Sequence, residues 1–364
     1  MKVIKYNKYL LLLIILCIHY FSLENSFAQM MLTDDSDNIA FLYPDNGSDP
    51  AIFSPFAKDY RKLLLEDVYP TLPKEILSVM DGKKINFSFA PISLGGIFHS
   101  PASGKSEIEI QLKMSAMKLP ATRSRLLHEW FHALHWYLDP EEPSWVKEGL
   151  AYLFVYRSLH GVLQYPGVAI QTATSHSNTG LEHVFSIHAD EEEAYGHTFL
   201  YFLYLYRNCG GEDLFWKLAK GDSGSPRKTG RQWIDEVLKG SDSTWCGSFE
   251  NTAIQAEIGR FHQAGFYVKG MTGLDQHYNI LLDDQGRTPE LQMEGFKNLS
   301  DFSVLKTFQP KLFPGTRAKE LQKIKFGTEY KVFTLRHDFP HTVSTGMISS
   351  ESLAGISILV MKIK

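Results

Sequence analysis

A chain of 364 residues with 44% hydrophobic content can bury a sizeable core, and that composition excludes a disordered or fibrous protein. Its formal charge of −4 at pH 7 argues against nucleic acid as a partner, because phosphate backbones need a basic face. No internal period of roughly 20 to 50 residues recurs, which excludes a solenoid or propeller.

The N-terminus reads as a secretory signal peptide. Lys2, Lys5 and Lys8 precede an uninterrupted apolar run from Leu10 to Ile18, and Ser26-Phe27-Ala28 offers a small-residue cleavage site. The run is less than half the length of about 20 residues that a spanning helix needs, so a cleaved signal fits better than a membrane anchor. Cys17 does not make a lipoprotein site, because Leu16 stands where a small residue is needed. Cleavage after Ala28 removes Lys2, Lys5, Lys8 and Glu24, a net of +2, and leaves the mature chain at −6. The expected location is therefore the cell exterior, periplasm or envelope. There, Cys209 and Cys246 either pair or stay as two buried thiols.

After a polar, Asp-rich opening at Thr33 to Asn38, residues 58 to 80 show helical spacing of Tyr60, Leu63, Leu64 and Val68, broken by Pro70 and Pro73. Two strands are expected next, Lys84 to Ala90 and Glu107 to Met114, each alternating apolar and polar residues. Between them, Gly95 and Gly96 in "SLGGIFHSP" read as a turn. Pro120 closes a loop, with Thr122 or Ser124 as caps for a helix reaching about Leu138, where Asp139-Pro140 stops it. Ser144 is the expected cap of a second helix, running from Trp145 to about Arg157. A third spans Ala194 to Gly211, and helical texture continues from Glu212 to Lys220. Beyond about Phe261 the runs "YKVFTLRH" and "ISILVMKIK" are strand-like. The expected fold class is α+β, with a small sheet and helical core over residues 29–254 and a β-rich C-terminal module over residues 255–364.

The stretch "RLLHEWFHALHWYLDPEEPSWVKEGLAYLF", residues 125 to 154, carries the chemistry. His128, Glu129 and His132 spell H-E-x-x-H, and on a helix the two histidines share one face about 6 Å apart, so both rings can converge on one metal ion. His135 also falls on this face. It stands about 10.5 Å along the axis from His128, too far for both to bind one ion, so it is expected to be a packed or hydrogen-bonded neighbour. The third ligand must come from elsewhere, and Glu148 is the best candidate. Residues 133 to 147 suffice for a helix end, a Pro-bounded turn and the first turn of a returning helix. A His₂Glu set leaves one zinc position for water, as catalytic sites do. Glu129 then serves as the base that takes the proton of the attacking water.

H-E-W-F-H followed by W-V-K-E-G-L-A resembles the gluzincin clan of zinc metallopeptidases, over roughly residues 84 to 220. The resemblance implies a zincin-like domain holding one Zn²⁺ per chain on His128, His132 and Glu148, with Glu129 as general base. It also implies an edge strand, Glu107 to Met114, just before the zinc helix, and a downstream Tyr or His that stabilises the oxyanion. "EAYGHTF" offers Tyr195, with His197 close behind. Tyr195 is preferred, because similar members carry a Tyr at a helix start before a "Y-L…G" stretch, echoed here by Tyr204, Leu205 and Gly210.

The chain departs from the clan in two places. Where the aminopeptidases carry Gly-x-Met-Glu-Asn to hold a free amine, this chain has "SLGGIFHSP", so endopeptidase action on a peptide or protein is expected. Where some members place a carboxylate four residues after the ligand glutamate, this chain has Tyr152. His160, His176, His183 and His188 read as solvated loop histidines, and Asp190 to Glu193 as a helix-start charge cluster. "YFLYLY", Tyr201 to Tyr206, reads as core at helical spacing. Two rival functions stand beside the peptidase: an inactive peptidase-like binding module, and an envelope structural protein acting through its C-terminal β region.

Overall fold

The computed structural model describes residues 29–31, 39–44, 49–92, 95–101, 107–114, 121–159, 181, 191–239, 246–261, 310–314, 321, 328–336, 344–345 and 356–362. The signal segment, Cys17 and the histidines His160, His176, His183 and His188 lie outside them. The chain divides into two compact units, Met1–Leu126 and Leu127–Lys364. Its described elements mix strands and helices in a way compatible with an α+β arrangement.

The first unit is built on a five-stranded sheet of order β1-β2-β3-β5-β4, with β1 Gln29–Met31, β2 Ile39–Pro44, β3 Lys84–Ala90, β4 Gly96–His99 and β5 Glu107–Lys113. The central strands β2, β3 and β5 run parallel, and β1 and β4 close the two edges antiparallel. In β5 the alternation of Ile108, Ile110 and Leu112 against Glu107 and Glu109 is also an alternation of buried against exposed. β3 departs from it at Ser88, which is fully buried. The expected edge strand, β5, is not an edge: β4 pairs with it from Gly96 opposite Leu112 to His99 opposite Glu109. Sequence reading missed β4 because its strand is short and opens on the Gly95-Gly96 pair, a turn signal.

Helix α1, Pro50–Lys62, crosses between the parallel strands β2 and β3. Asp49 caps it by accepting the Ala51 N–H at 2.9 Å, and Pro50 occupies the first turn, where no amide donor is needed. Its inward face sets Phe53 5.7 Å from Tyr43 and 5.4 Å from Phe89, and Tyr60 6.3 Å from Phe41. The predicted helix over residues 58 to 80 is a broken series: a wide turn at Leu63–Val68, a tight one at Tyr69–Thr71, the short helix α2 at Lys74–Leu77, and another tight turn at Ser78–Met80. Pro70 and Pro73 mark the breaks, since each lacks the amide that continues a helix.

Helix α3, Ala121–Leu138, begins before the expected caps, so Thr122 and Ser124 lie within it and are buried. The remaining helices are α4 Ser144–Ser158, α5 Glu191–Cys209, α6 Gly211–Lys220, α7 Gly230–Leu238 and α8 Phe249–Phe261. Pro143 takes the capping position expected of Ser144, its carbonyl accepting the Val146 and Lys147 amides.

The core of the second unit is aromatic. Phe131 stacks on Phe154 at 4.9 Å and lies 5.7 Å from Phe215, and Trp145 sits 5.8 Å from Phe202 and 5.9 Å from Phe249. Tyr201, Phe202, Tyr204 and Leu205 are buried, as helical spacing predicted. Cys209 and Cys246 form a disulfide with Cα atoms 5.5 Å apart, joining the end of α5 to the segment before α8. A four-stranded sheet of order β6-β9-β7-β8 follows, built from Pro310–Pro314, Ile356–Lys362, Tyr330–Arg336 and Ser344–Thr345, with every pairing antiparallel. Among the described residues no helix is long and apolar enough to cross a membrane.

Candidate metal centre

The turn between α3 and α4 decides which side chains meet. Pro140 ends α3, and the Asp139 side chain accepts the Glu141 amide at 3.1 Å, closing a local turn. The buried Asp139 also pairs with Arg227 at 2.6 Å, and Lys147 donates to the Pro140 carbonyl at 2.7 Å. Glu142, 2% exposed, accepts the Gly230 amide at 2.7 Å and so fixes the turn to the start of α7. Gly221, with φ of +68°, must be glycine for a second reason: a Cβ there would fall 1.7 Å from Asp139 Oδ2.

This return brings Glu148, in the second turn of α4, onto the face of α3 that carries the two histidines. His128 Nε2 lies 3.0 Å from His132 Nε2 and 3.1 Å from Glu148 Oε2, and His132 Nε2 lies 3.4 Å from Glu148 Oε1. Among the described residues these three form a group able to hold a metal ion. Donors each about 2.1 Å from one tetrahedral ion stand roughly 3.4 Å apart, so the spacing suits a single small cation. All three side chains are less than one-fifth exposed.

Electrostatically the three are coupled. Burial would push the Glu148 carboxyl up, but the charge of His132 and hydrogen bonds with His128 and His132 outweigh it and hold it well below the usual carboxylate range. Burial would likewise push His132 down, yet Glu148 and then Glu129 outweigh it and raise it.

Glu129 is half-buried, one residue from a ligand position. His135 is buried and stacks on Phe131 at 5.6 Å, and burial holds it neutral, down to about 3. It is the packed neighbour that helix geometry required. Tyr195, half-buried in the first turns of α5, has its ring 5.7 Å from Tyr152, whose ring is in turn 4.5 Å from His128. His197 is committed elsewhere, its Nε2 in a buried side-chain contact with the Glu257 carboxyl of α8. Residues two apart on a helix point about 200° apart, so only one of Tyr195 and His197 can face a given site.

Sequence reading missed the ring of Tyr152 against His128, noting only the lack of a carboxylate there. It also missed Arg227 and the Gly230 amide, which come from a distant segment and leave no local signal. No protein-family model and no characterised protein sequence matches this chain.

Proposed function

We propose that this chain is an exported zinc peptidase of the gluzincin type, an endopeptidase acting on peptides or proteins. What supports the reading is one observation: two imidazole nitrogens and a carboxylate, from two linked motifs twenty residues apart in the chain, converge to within 3.0 to 3.4 Å. This is the donor set of open zinc sites, whose remaining position is left for water or substrate. The proposed fold is a zincin-like catalytic domain followed by a β-rich C-terminal region.

His128, His132 and Glu148 would hold the zinc ion, which when bound would supply Lewis acidity to polarise a scissile carbonyl and acidify water. Glu129, beside the ligands on α3, accepts the proton of the attacking water and passes it to the departing amine. Tyr195 donates its hydroxyl hydrogen bond to the oxyanion as it develops, which contributes about 3 kcal/mol to lowering the barrier where such donors have been removed. Burial keeps the His135 imidazole uncharged near neutral pH, and no role in the reaction is assigned to it.

The test is Glu129→Gln in the mature chain. Its metal content should equal that of the wild type, while hydrolysis of a casein or mixed-peptide substrate falls by several orders of magnitude, roughly the 10²–10⁴-fold of a lost general base or more. Undiminished hydrolysis would remove Glu129 from the role. A wild-type chain that binds zinc yet cleaves nothing would favour the inactive binding module instead.

A further inference from the structure

A histidine that binds zinc ordinarily donates its second ring N–H to a carboxylate, carbonyl or water, which fixes the ring. Here the buried Nδ1 of His128 has no hydrogen-bond partner among the described residues. What meets the ring is Tyr152, 4.5 Å away between centroids and inclined at 61°. Tyr152 is 4% exposed, and behind it stand Phe199 at 6.4 Å and Tyr195 at 5.7 Å, both from α5. It sits one turn after Glu148 on α4, so a single rigid helix carries both a ligand and the group that faces the other ligand.

We infer that Tyr152 is a positioning residue of the metal centre: its ring, by edge contact, holds the His128 imidazole in the ligating orientation that a hydrogen-bonding carboxylate would otherwise set. The inference rests on the metal-site reading above. The same ring touches both His128, at 4.5 Å, and Tyr195, at 5.7 Å, so it would position a ligand and the oxyanion donor together.

The experiment compares wild type, Tyr152→Phe and Tyr152→Leu, each checked for folding by circular dichroism and thermal unfolding. The probes are zinc affinity by competition with a chromophoric chelator and the visible spectrum of the cobalt(II)-loaded protein. Tyr152→Phe keeps the ring and should bind zinc within about twofold of wild type with an unchanged cobalt spectrum. Tyr152→Leu keeps apolar bulk but not the ring, and should bind roughly 10- to 100-fold more weakly with a shifted spectrum, the range seen when orienting partners are lost. Tyr152→Leu with wild-type affinity and spectrum would make Tyr152 ordinary core and overturn the inference while leaving the metal site intact. Loss in Tyr152→Phe equal to that in Tyr152→Leu would assign the effect to the hydroxyl and also overturn it. A wild-type chain taking up neither ion would overturn the site and the inference together. If Tyr152→Leu does not fold, the cobalt spectrum of Tyr152→Phe decides, since a changed spectrum contradicts a ring contact.

Discussion

Gly149 lies so close to Phe202 that a Cβ on it would come within 2.2 Å of the Phe202 ring. The glycine after Glu148 therefore lets α4 approach α5 closely. Flexibility of the phenyl ring gives only partial relief, because Thr198 O would also stand 3.2 Å away.

Gly149→Ala should accordingly destabilise the fold by about 1–3 kcal/mol, the usual range for an overpacked core position. Metal affinity should fall with it, because Glu148 moves with the backbone. Thermal unfolding of the metal-free chain, beside a zinc titration, checks both. A variant as stable and as tight as wild type would show that the helices can part at no cost.

Protons and metal compete for His132. Its charged form is raised, so its contribution to the metal-free fold is complete below about 6.5 and is lost as pH rises through the raised value. Glu148 is lowered, so its contribution is present above about 4.5 and is lost as pH falls through the lowered value. Ligation needs His132 neutral, so zinc affinity should rise with pH, and binding below about pH 6.5, where His132 is charged, should release a proton. Calorimetric titration in two buffers of different ionisation enthalpy measures that release. Zinc binding at about pH 6 with no proton released would contradict the coupling.

Glu142 behaves in the opposite sense to an ordinary paired carboxylate. Burial pushes it up to about 7, with Asp139 adding to the shift and the Gly230 hydrogen bond, Arg227 and Lys147 opposing it. The folded chain thus keeps a proton that the unfolded chain gives up, and stability should fall by roughly 2 kcal/mol as pH rises from about 4.5 to about 7, then level off. Glu142→Gln keeps an acceptor for the Gly230 amide and should flatten that slope in denaturant unfolding. An unchanged slope would place the titration elsewhere.

How much of this was legible in sequence follows from the range of each interaction. His128 and His132 share a helix, so spacing alone put their rings together; Glu148 followed because Asp139-Pro140 and Pro143 enforce a short return. The alternation in β5 was equally plain, being a property of one strand. The β4 edge was not, because its pairing with β5 is decided across a loop and its glycines signal a turn. Nor were the Arg227 and Gly230 contacts to the turn, since a side chain such as Glu142 carries no mark of a partner 88 residues away. Between Tyr195 and His197, sequence could only rank; the contact of His197 with Glu257 from another helix left no local signal.

The measurement that bears most directly on the central claim is metal content by elemental analysis of the purified chain from residue 29 onward, beside His132→Ala and Glu148→Ala. One zinc per wild-type chain is expected after reconstitution, with a much lower content in both folded variants. A folded wild-type chain that takes up no zinc, or variants that keep it, would contradict the assignment of His128, His132 and Glu148 as its ligands.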